Sequence, residues 1–397
     1  MSFYTSASFF LLAGLMVVPA AFLGLMGRGL RRWGMVASAC MLACLFSQGT
    51  GQLPAFALFC VAAVLPARLL LRRPRTGAPD TGAYRLALAC ALAPLVIYKL
   101  TLSVPLLSPG ALFAFAGISY ATFRAVQIVV EIHDGLITEL PLADHLYFIC
   151  FFPTITSGPI DRSRRFLAEV QRPPTRERYA EMLAQGVLML LVGAVMQLVL
   201  ATVVKGLYDP AAALAPGGAL ALWGEVAQAY TFALYLFLDF AGYSLMARGL
   251  SLAFGVHVPA NFRAPYLALD VKDFWNRWHI TLSTWLRDFV FMRLVRAWTR
   301  GHVFRNRLER ACAAYLVNML VMGAWHGLTP EYLAYGLYHG VLLSATEVYQ
   351  KRCPFHKRHK GKTWYRIFSW FLTLQFVIFG FALFSGQVTV ILKGCLS

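Results

Sequence analysis

Long apolar runs recur along the whole 397-residue sequence and restrict its possible folds more than any other feature. Charged residues make up only 14% of the chain, whereas a soluble domain carries about 25%. The runs are continuous, unlike the period-two alternation of a β-barrel strand, and most approach the roughly 20 residues that cross a bilayer. An all-α polytopic membrane protein is predicted, with spans near Phe9–Met26, Gly34–Phe46, Leu53–Leu71, Leu86–Leu102, Ala111–Val130, Gly186–Val204, Leu220–Phe240, Cys312–Ala324, Tyr332–Tyr349 and Trp364–Phe384.

The formal net charge of +18 is concentrated in loops between these runs. Connections 48–52 and 103–110 carry no charge. Basic and uncharged connections therefore alternate along the chain, as the positive-inside rule predicts. The pattern therefore indicates topology and disfavours nucleic-acid binding. It predicts a retained first helix with its N-terminus outside and these cytoplasmic loops: Arg28–Arg32, Arg72–Arg75, Arg162–Arg178, Arg293–Arg310 and Lys351–Lys362.

No linker long enough to separate soluble domains interrupts the chain, so we expect one integral membrane domain over residues 1–397. The apolar stretch Leu146–Ile155 is too short to span and ends in PTITSGPIDR, which predicts a re-entrant segment. The cysteine spacing does not indicate a disulfide framework. Cys353, His356 and His359 resemble a metal tract, but the surrounding Lys and Arg would repel a cation, so we expect no metal site.

Residues Asn261–Arg293 combine acids, bases, three tryptophans and one histidine in an otherwise apolar chain. Asp270 and Asp273 suit a helix start, and Asp273 with Arg277 has the i,i+4 spacing of an ion pair. The segment is typical of an amphipathic helix at the cytoplasmic interface. Trp275, Trp278, Ser283 and Trp285 would lie within one or two turns of His279.

Histidine is the strongest candidate for chemistry, because G-x-S-x-G, H-E-x-x-H, P-loop and dinucleotide-binding motifs are absent from the sequence. An imidazole has a pKa near neutrality and can remove a proton from an attacking hydroxyl. His326, in GAWHG, and His279 could serve as the base and as the group that polarises a carbonyl. Both could equally be satisfied interfacial or core residues.

The segment FWNRWHITLSTWLRDFVF, followed by a Trp-His-Gly segment, resembles the signature of the membrane-bound O-acyltransferase family. The resemblance is strongest over about residues 143–340. SGPIDRSRRF at 157–166, and the continuation into Phe-Met-Arg at 291–293, are most similar to the family's D-alanyl transferases of teichoic-acid modification. The resemblance implies a ring of about ten to eleven transmembrane helices around a funnel, with re-entrant or interfacial helices. His326 maps to the family's catalytic histidine and His279 to an additional functional one.

The same resemblance implies the reaction partners. D-alanine would arrive as a thioester on the phosphopantetheine arm of an acidic carrier protein at the cytoplasmic face of a bacterial cytoplasmic membrane. No bound cofactor is expected, and the hydroxyl acceptor or an accessory membrane protein would lie outside. The expected carrier-docking residues are Phe289, Phe291, Arg293, Leu294 and Val295. The expected tunnel or supporting residues are Trp275, Asn276, Trp278, Ser283, Trp285 and His339.

Two alternative functions and several residue roles stay open. The chain could O-acetylate an exported polysaccharide or peptidoglycan, or it could be a transporter or flippase with structural histidines. Arg124, Glu131 and Asp134 could line a tunnel or form ion pairs. We expect a basic partner for Asp239 and an interfacial position for His145 and His302. Finally, Arg162, Arg164 and Arg165 could grip a phosphate or only reflect topology.

Overall fold

The computed structural model describes residues 4–47, 49, 51–73, 81–103, 113–208 and 219–396, and these ranges contain helices and no strand. The predicted all-α class is therefore confirmed. The helices are α1 Ala7–Leu25, α2 Arg31–Phe46, α3 Gln52–Leu71, α4 Thr81–Ser103, α5 Ile118–His133, α6 Leu142–Cys150, α7 Ser163–Gln171, α8 Arg176–Ala194, α9 Ala201–Tyr208, α10 Ala219–Ala253, α11 Val271–Trp275, α12 Ile280–Leu286, α13 Met292–Arg300, α14 Arg307–His326, α15 Pro330–Arg352, α16 Pro354–His359, α17 Thr363–Phe384 and α18 Gln387–Leu396.

Two π-helical turns join neighbouring helices: Val195–Leu200 between α8 and α9, and Arg287–Phe291 between α12 and α13. The backbone divides into two compact units. Unit 1 comprises Met1–Val195 and Gly242–Ala260, and unit 2 comprises Met196–Ala241 and Asn261–Ser397. Both candidate histidines belong to unit 2.

Six helical stretches in the described part of the chain are long and apolar enough to cross a membrane. They are Ala7–Leu25, Gln52–Leu71, Thr81–Leu102, Arg176–Leu207, Trp223–Ala253 and Thr363–Phe384. Their outward apolar side chains are widely exposed, as a lipid-facing surface requires.

The fifth predicted span is wrong at its start. The helix expected over 111–130 begins only at Ile118, and residues 111 and 112 lie outside the described part of the chain. Gly117 precedes it with φ +93, and a Cβ there would clash with the carbonyl oxygen of Ile155. The positive φ and the close backbone contact both require glycine at this position, and the non-helical backbone of Gly117 sets the start of the helix. The predicted seventh span also stopped too early, because α10 continues to Ala253.

Arg124 holds the Pro/Gly-interrupted segment of unit 1 in place. Its buried guanidinium donates from Nη1 to the carbonyl oxygens of Phe148, at 2.9 Å, and Ile149, at 3.0 Å. These carbonyls belong to the last turn of α6, where backbone acceptors have no helical partner and a cation is favoured. The segment expected to be re-entrant is thus a short helix followed by a 3₁₀ turn, Phe152–Thr154.

One predicted side-chain environment is confirmed in part and another is wrong. Asp239 accepts a hydrogen bond from Nε2 of Gln197 at 3.1 Å, and the charge of Lys205 also acts on its carboxylate. His145 is only 1% exposed and therefore buried rather than interfacial. His302, by contrast, is exposed. Arg165 forms ion pairs with Asp161 and with Glu169, the latter at 2.9 Å, which favours a structural role for that arginine.

Candidate active site

Two short helices, α11 and α12, and the turn between them carry six of the site residues predicted from the sequence, including His279. Asp270 caps α11 by accepting a hydrogen bond from the backbone N–H of Asp273 at 2.8 Å. Arg277 Nε lies 2.7 Å from Asp273 Oδ1, so the predicted ion pair is confirmed. A single amphipathic helix through the segment is wrong, however, because His279 adopts φ 41 and ψ 52 and separates α11 from α12.

Long-range hydrogen bonds impose this break at His279. The backbone N–H of Ile280 donates to the carbonyl of Asn261 at 2.8 Å, and the N–H of Arg263 donates to the carbonyl of Arg277 at 3.0 Å. The segment before α11 therefore engages the N–H of Ile280 and the carbonyl of Arg277, which would bond to other backbone groups of the same helix if the helix were continuous. A left-handed conformation costs a residue with a Cβ about 1–2 kcal/mol, and such outliers cluster at functional sites.

His279 is buried, with 3% of its surface exposed. Burial, and secondarily the charge of His326, lower the pKa of His279 to about 3, so the imidazole is neutral at physiological pH. Its ring packs edge-on against Phe240 with the centroids 4.7 Å apart. The imidazole also faces the indole of Trp325, with the ring centroids 6.5 Å apart.

His326 is the last residue of α14 and is half-buried. Its imidazole lies 4.6 Å from the ring of Trp325 and 5.0 Å from that of Phe384. The ring centroids of Tyr332 and Tyr335 lie 6.0 and 6.3 Å from that of the His326 imidazole. The structure therefore brings both candidate histidines to one indole, Trp325, although 46 residues lie between them in the sequence.

A cavity of about 240 Å³ is lined by residues of α11, α12 and α14, the helices that adjoin the two histidines, but neither His279 nor His326 lines it. Three predicted supporting residues line it, Trp275, Asn276 and Ser283, together with Phe291 of the predicted docking set. Met322 also lines the cavity and precedes His326 by one helical turn. The remaining lining residues are Lys272, Leu282, Thr284, Leu286, Arg287, Met292, Tyr315, Asn318, Met319 and Leu343. The cavity is mainly apolar with a few polar groups, a composition typical of a small-molecule pocket.

Three predicted supporting residues are buried without lining the cavity: Trp278, Trp285 and His339. Trp278 lies between Phe262 at 5.0 Å and Phe381 at 4.8 Å. The His339 ring contacts Trp275 at 5.2 Å, and neither of its nitrogens has a hydrogen-bond partner among the described residues. These side chains belong to the packed interior of unit 2 and not to the wall of the cavity.

The predicted docking residues lie on the π-helical turn and on α13, and all five are half-buried. Phe289 stacks on Trp285 at 4.9 Å, and Phe291 packs against Tyr315 at 4.8 Å. Both phenylalanines therefore pack partly inward. Arg296 and Arg300 on α13 are exposed and give this helix a basic surface.

The sequence did not single out Trp325, Lys272 or Asn318. Trp325 directly precedes His326 in the motif, and this position could have indicated that it belongs to the site. Asn318 is a polar residue inside an apolar helix, which is itself a sign of function. Lys272 gave no local signal, because its partners lie on α15: it donates to Glu347, and to Oε1 of Gln350 at 2.9 Å.

No group of three or more metal-ligating side chains occurs within the described ranges. In the predicted tract, His356 Nδ1 instead lies 2.9 Å from the Tyr365 hydroxyl, and His359 Nδ1 lies 2.8 Å from the Phe355 carbonyl.

Comparison with known proteins identifies the family. The model of the membrane-bound O-acyltransferase family matches residues 90–385. The chain belongs to this family. It is therefore an O-acyltransferase and a multi-pass membrane protein, as the sequence predicted.

Three relatives define the similarity within the family. The chain is 37% identical over 395 residues to the teichoic acid D-alanyltransferase of Bacillus subtilis, covering 97% of this chain and 98% of the relative. It is 39% identical to the teichoic acid D-alanyltransferase of Streptococcus thermophilus, covering 74% and 73% of the two chains. It is 30% identical to a probable alginate O-acetylase of Pseudomonas aeruginosa, covering 68% of this chain but 48% of that protein.

Proposed function

We propose that this acyltransferase moves D-alanine from the phosphopantetheine thioester of a carrier protein toward a hydroxyl acceptor on the extracytoplasmic side. The observation that carries the proposal is the end-to-end similarity to a teichoic acid D-alanyltransferase, which covers 97% of this chain. The family makes the reaction an acyl transfer. The site brings two imidazoles to one indole, and the helices next to them line a cavity; this arrangement suits such a transfer.

His326 is the general base in this proposal. Its imidazole takes the proton of the acceptor hydroxyl as the oxygen attacks the thioester carbonyl carbon. The tetrahedral oxyanion then collapses, the C–S bond breaks, and the leaving thiolate receives the proton from the His326 imidazolium. The products are an ester and a free pantetheine thiol. The thioester is already activated, so this sequence requires no cysteine nucleophile.

His279 orients or polarises the thioester carbonyl. Burial lowers its pKa to about 3, so it acts as a neutral imidazole that donates one hydrogen bond without carrying charge. A fixed donor aimed at a developing oxyanion is effective in a site with little water. The strained backbone at His279 supports this role, because it fixes the direction of the ring independently of α11.

The cavity beside Met322 receives the pantetheine arm in this proposal. Asn276, Ser283 and Asn318 offer hydrogen-bonding groups to the amides of the arm, and the apolar walls exclude water. The carrier itself docks on Phe289, Phe291, Arg293, Leu294 and Val295. The exposed arginines of α13 attract its acidic surface and speed association at low salt.

The chain works, in this proposal, as a single integral domain in the bacterial cytoplasmic membrane. About ten to eleven crossings surround a funnel that leads from the carrier on one face to the acceptor on the other. The six apolar helical stretches and the basic loops support this arrangement.

O-acetylation is the second candidate, because the chain is also 30% identical to a probable alginate O-acetylase. That similarity reaches only 48% of the acetylase, whereas similarity to the Bacillus D-alanyltransferase reaches 98% of the relative. D-alanine is therefore the better supported acyl group. A transporter function would leave the family's acyltransferase signature without a role.

The test is a donor comparison in proteoliposomes. The purified chain is given carrier protein charged with radiolabelled D-alanine or with radiolabelled acetate, and lipoteichoic acid as the acceptor. We expect alkali-labile D-alanyl ester with the first donor and background with the second, and no product with His326→Ala. Acetyl ester formed in preference to D-alanyl ester would overturn the proposal in favour of O-acetylation.

A further inference from the structure

A groove separate from the candidate active site runs between α15 and α17. It encloses about 800 Å³. One end is formed by α16 and the start of α17, and its inner wall includes Asp270 just before α11. The groove is lined by Leu269, Asp270, Val271, Leu342, Ala345, Thr346, Tyr349, Gln350, His356, Lys360, Tyr365, Arg366, Phe368, Ser369, Leu372, Thr373 and Phe376.

The far part of the groove is apolar and follows a helix that can cross a membrane. Phe368, Leu372 and Phe376 occupy i, i+4 and i+8 positions and therefore form one stripe along α17. Leu342 and Ala345 form the opposite wall on α15. From Arg366 to Phe376 the helix rises about 15 Å, at 1.5 Å per residue, which is half of the roughly 30 Å hydrocarbon core. The apolar part is thus as deep as one leaflet.

The near end of the groove is basic. Lys360 and Arg366 are exposed, and their side chains form no hydrogen bond or ion pair with other residues of the described chain. The one carboxylate in the lining, Asp270, accepts hydrogen bonds from Gln350 Nε2 at 2.9 Å and from the N–H of Asp273 at 2.8 Å. The groove therefore contains two positive charges, on Lys360 and Arg366, and one negative charge, on Asp270, which already accepts two hydrogen bonds. Its net charge is positive.

We infer that this groove binds one anionic phospholipid from the leaflet adjoining the Lys351–Lys362 loop. The lipid phosphate lies between Lys360 and Arg366, and an acyl chain follows the stripe of Phe368, Leu372 and Phe376. Charge and depth both match this ligand. A free phosphate would leave the apolar half empty. A transmembrane helix of another protein would follow the whole 22-residue length of α17, whereas the groove ends near Phe376.

The bound lipid would contact the element that leads into the candidate active site. Asp270 belongs to the groove wall and caps α11, and Lys272 of that helix lines the 240 Å³ cavity. The inference does not depend on which acyl group the enzyme transfers, because it concerns the surface next to the membrane.

Native mass spectrometry tests the site. The detergent-purified protein is exposed to an equal mixture of phosphatidylglycerol and phosphatidylcholine, and the retained lipid is counted. The charge variant is Lys360→Gln with Arg366→Gln. Its matched control is Lys357→Gln with Arg358→Gln, because these residues are exposed on the same loop but do not line the groove. The packing variant is Leu372→Trp, which obstructs the groove, and its control is Phe371→Trp on the lipid-facing side.

We expect the wild type and both controls to retain one phosphatidylglycerol in preference to phosphatidylcholine. The charge variant should lose roughly tenfold or more of this retention, as expected when two cations near a lipid phosphate are removed. The Leu372→Trp variant should lose it without any change in charge. Helical content and elution volume verify folding. Equal retention of the two lipids by the wild type, or unchanged retention in the charge variant, would overturn the inference. So would a co-purifying peptide in the groove in place of lipid.

Discussion

The imidazole of His279 packs against the indole of Trp325, with the ring centroids 6.5 Å apart and the ring planes at 66°. Trp325 immediately precedes His326, whose ring lies 4.6 Å from the same indole. One aromatic side chain therefore connects the strained turn before α12 to the C-terminal end of α14. We expect this shared contact to set the relative position of the two candidate catalytic groups.

Replacement of Trp325 should impair catalysis more than stability. Trp325→Ala removes the shared contact and lets both imidazoles shift, and displacements of about 1 Å can cost roughly 100-fold in rate. Trp325→Phe keeps an aromatic ring and should lose much less. Single-turnover transfer of D-alanine measures the effect. Trp364→Ala, at a tryptophan that is 50% exposed, is the control. Normal turnover by the Trp325→Ala enzyme would contradict this prediction, because it would show that the indole is not needed to align the two histidines.

The backbone at His279 allows its conformational and chemical roles to be separated. His279 has φ 41 and His302 has φ 50, and both values lie in the left-handed region that Asn and Gly tolerate. We expect His279→Asn and His279→Gly to fold but to lose at least about tenfold in rate, because the polarising imidazole is gone. His302→Asn, at an exposed site with the same backbone conformation, should remain fully active. Circular dichroism and transfer rate are the measurements, and an active His279→Gly enzyme would limit this residue to a structural role.

The low pKa of His279 predicts a pH dependence of stability. In the unfolded chain histidine titrates near 6.5, whereas burial and the charge of His326 lower the folded-state pKa to about 3. Between these values the unfolded state binds more protons, so stability is complete above about pH 6.5 and falls as the pH drops toward 3. This group contributes a slope of at most about 1.4 kcal/mol per pH unit.

Thermal melts of the wild type and His279→Asn over pH 4–8 measure this slope. The variant should lose part of the acid-side decline in melting temperature, since the other titrating groups are common to both proteins. If the melting temperatures of the two proteins changed with pH in parallel over the whole range, the pKa of His279 would not be lowered in the folded state.

The contact between Lys272 and Glu347 ties α11 to α15. Glu347 also accepts from Lys351 Nζ at 2.8 Å, and its side chain is only 9% exposed. Lys272→Met leaves a mostly buried carboxylate with a weaker set of donors, and we expect a loss of about 1–2 kcal/mol in the free energy of unfolding. Adding Glu347→Gln should recover part of it. The exposed pair Arg178–Glu181 is the control, because breaking such a pair costs about 0–1 kcal/mol. Additive shifts in melting temperature across the double-mutant cycle would mean that the two residues are not coupled.

The sequence was sufficient for features determined by local composition. Apolar length predicted the helical class, and the carboxylate of Asp270 predicted the start of α11. It was insufficient where a distant residue decides the local structure. The break at His279 depends on the carbonyl of Asn261, and the hydrogen-bond donor to Asp239 is Gln197, 42 residues away. The inward packing of Phe289 on Trp285 likewise could not be read from an amphipathic pattern.

The central claim is that His326 is the base of the transfer reaction, and a single-turnover assay tests it most directly. Carrier protein charged with D-alanine is mixed with excess wild-type enzyme, His326→Ala or the matched His302→Asn control, and ester formation on the acceptor is followed. Loss of a general base costs about 10²–10⁴-fold, so we predict a decrease of that size for His326→Ala, with unchanged carrier binding and wild-type rates for the control. A His326→Ala rate within about threefold of the wild type would contradict the proposed mechanism.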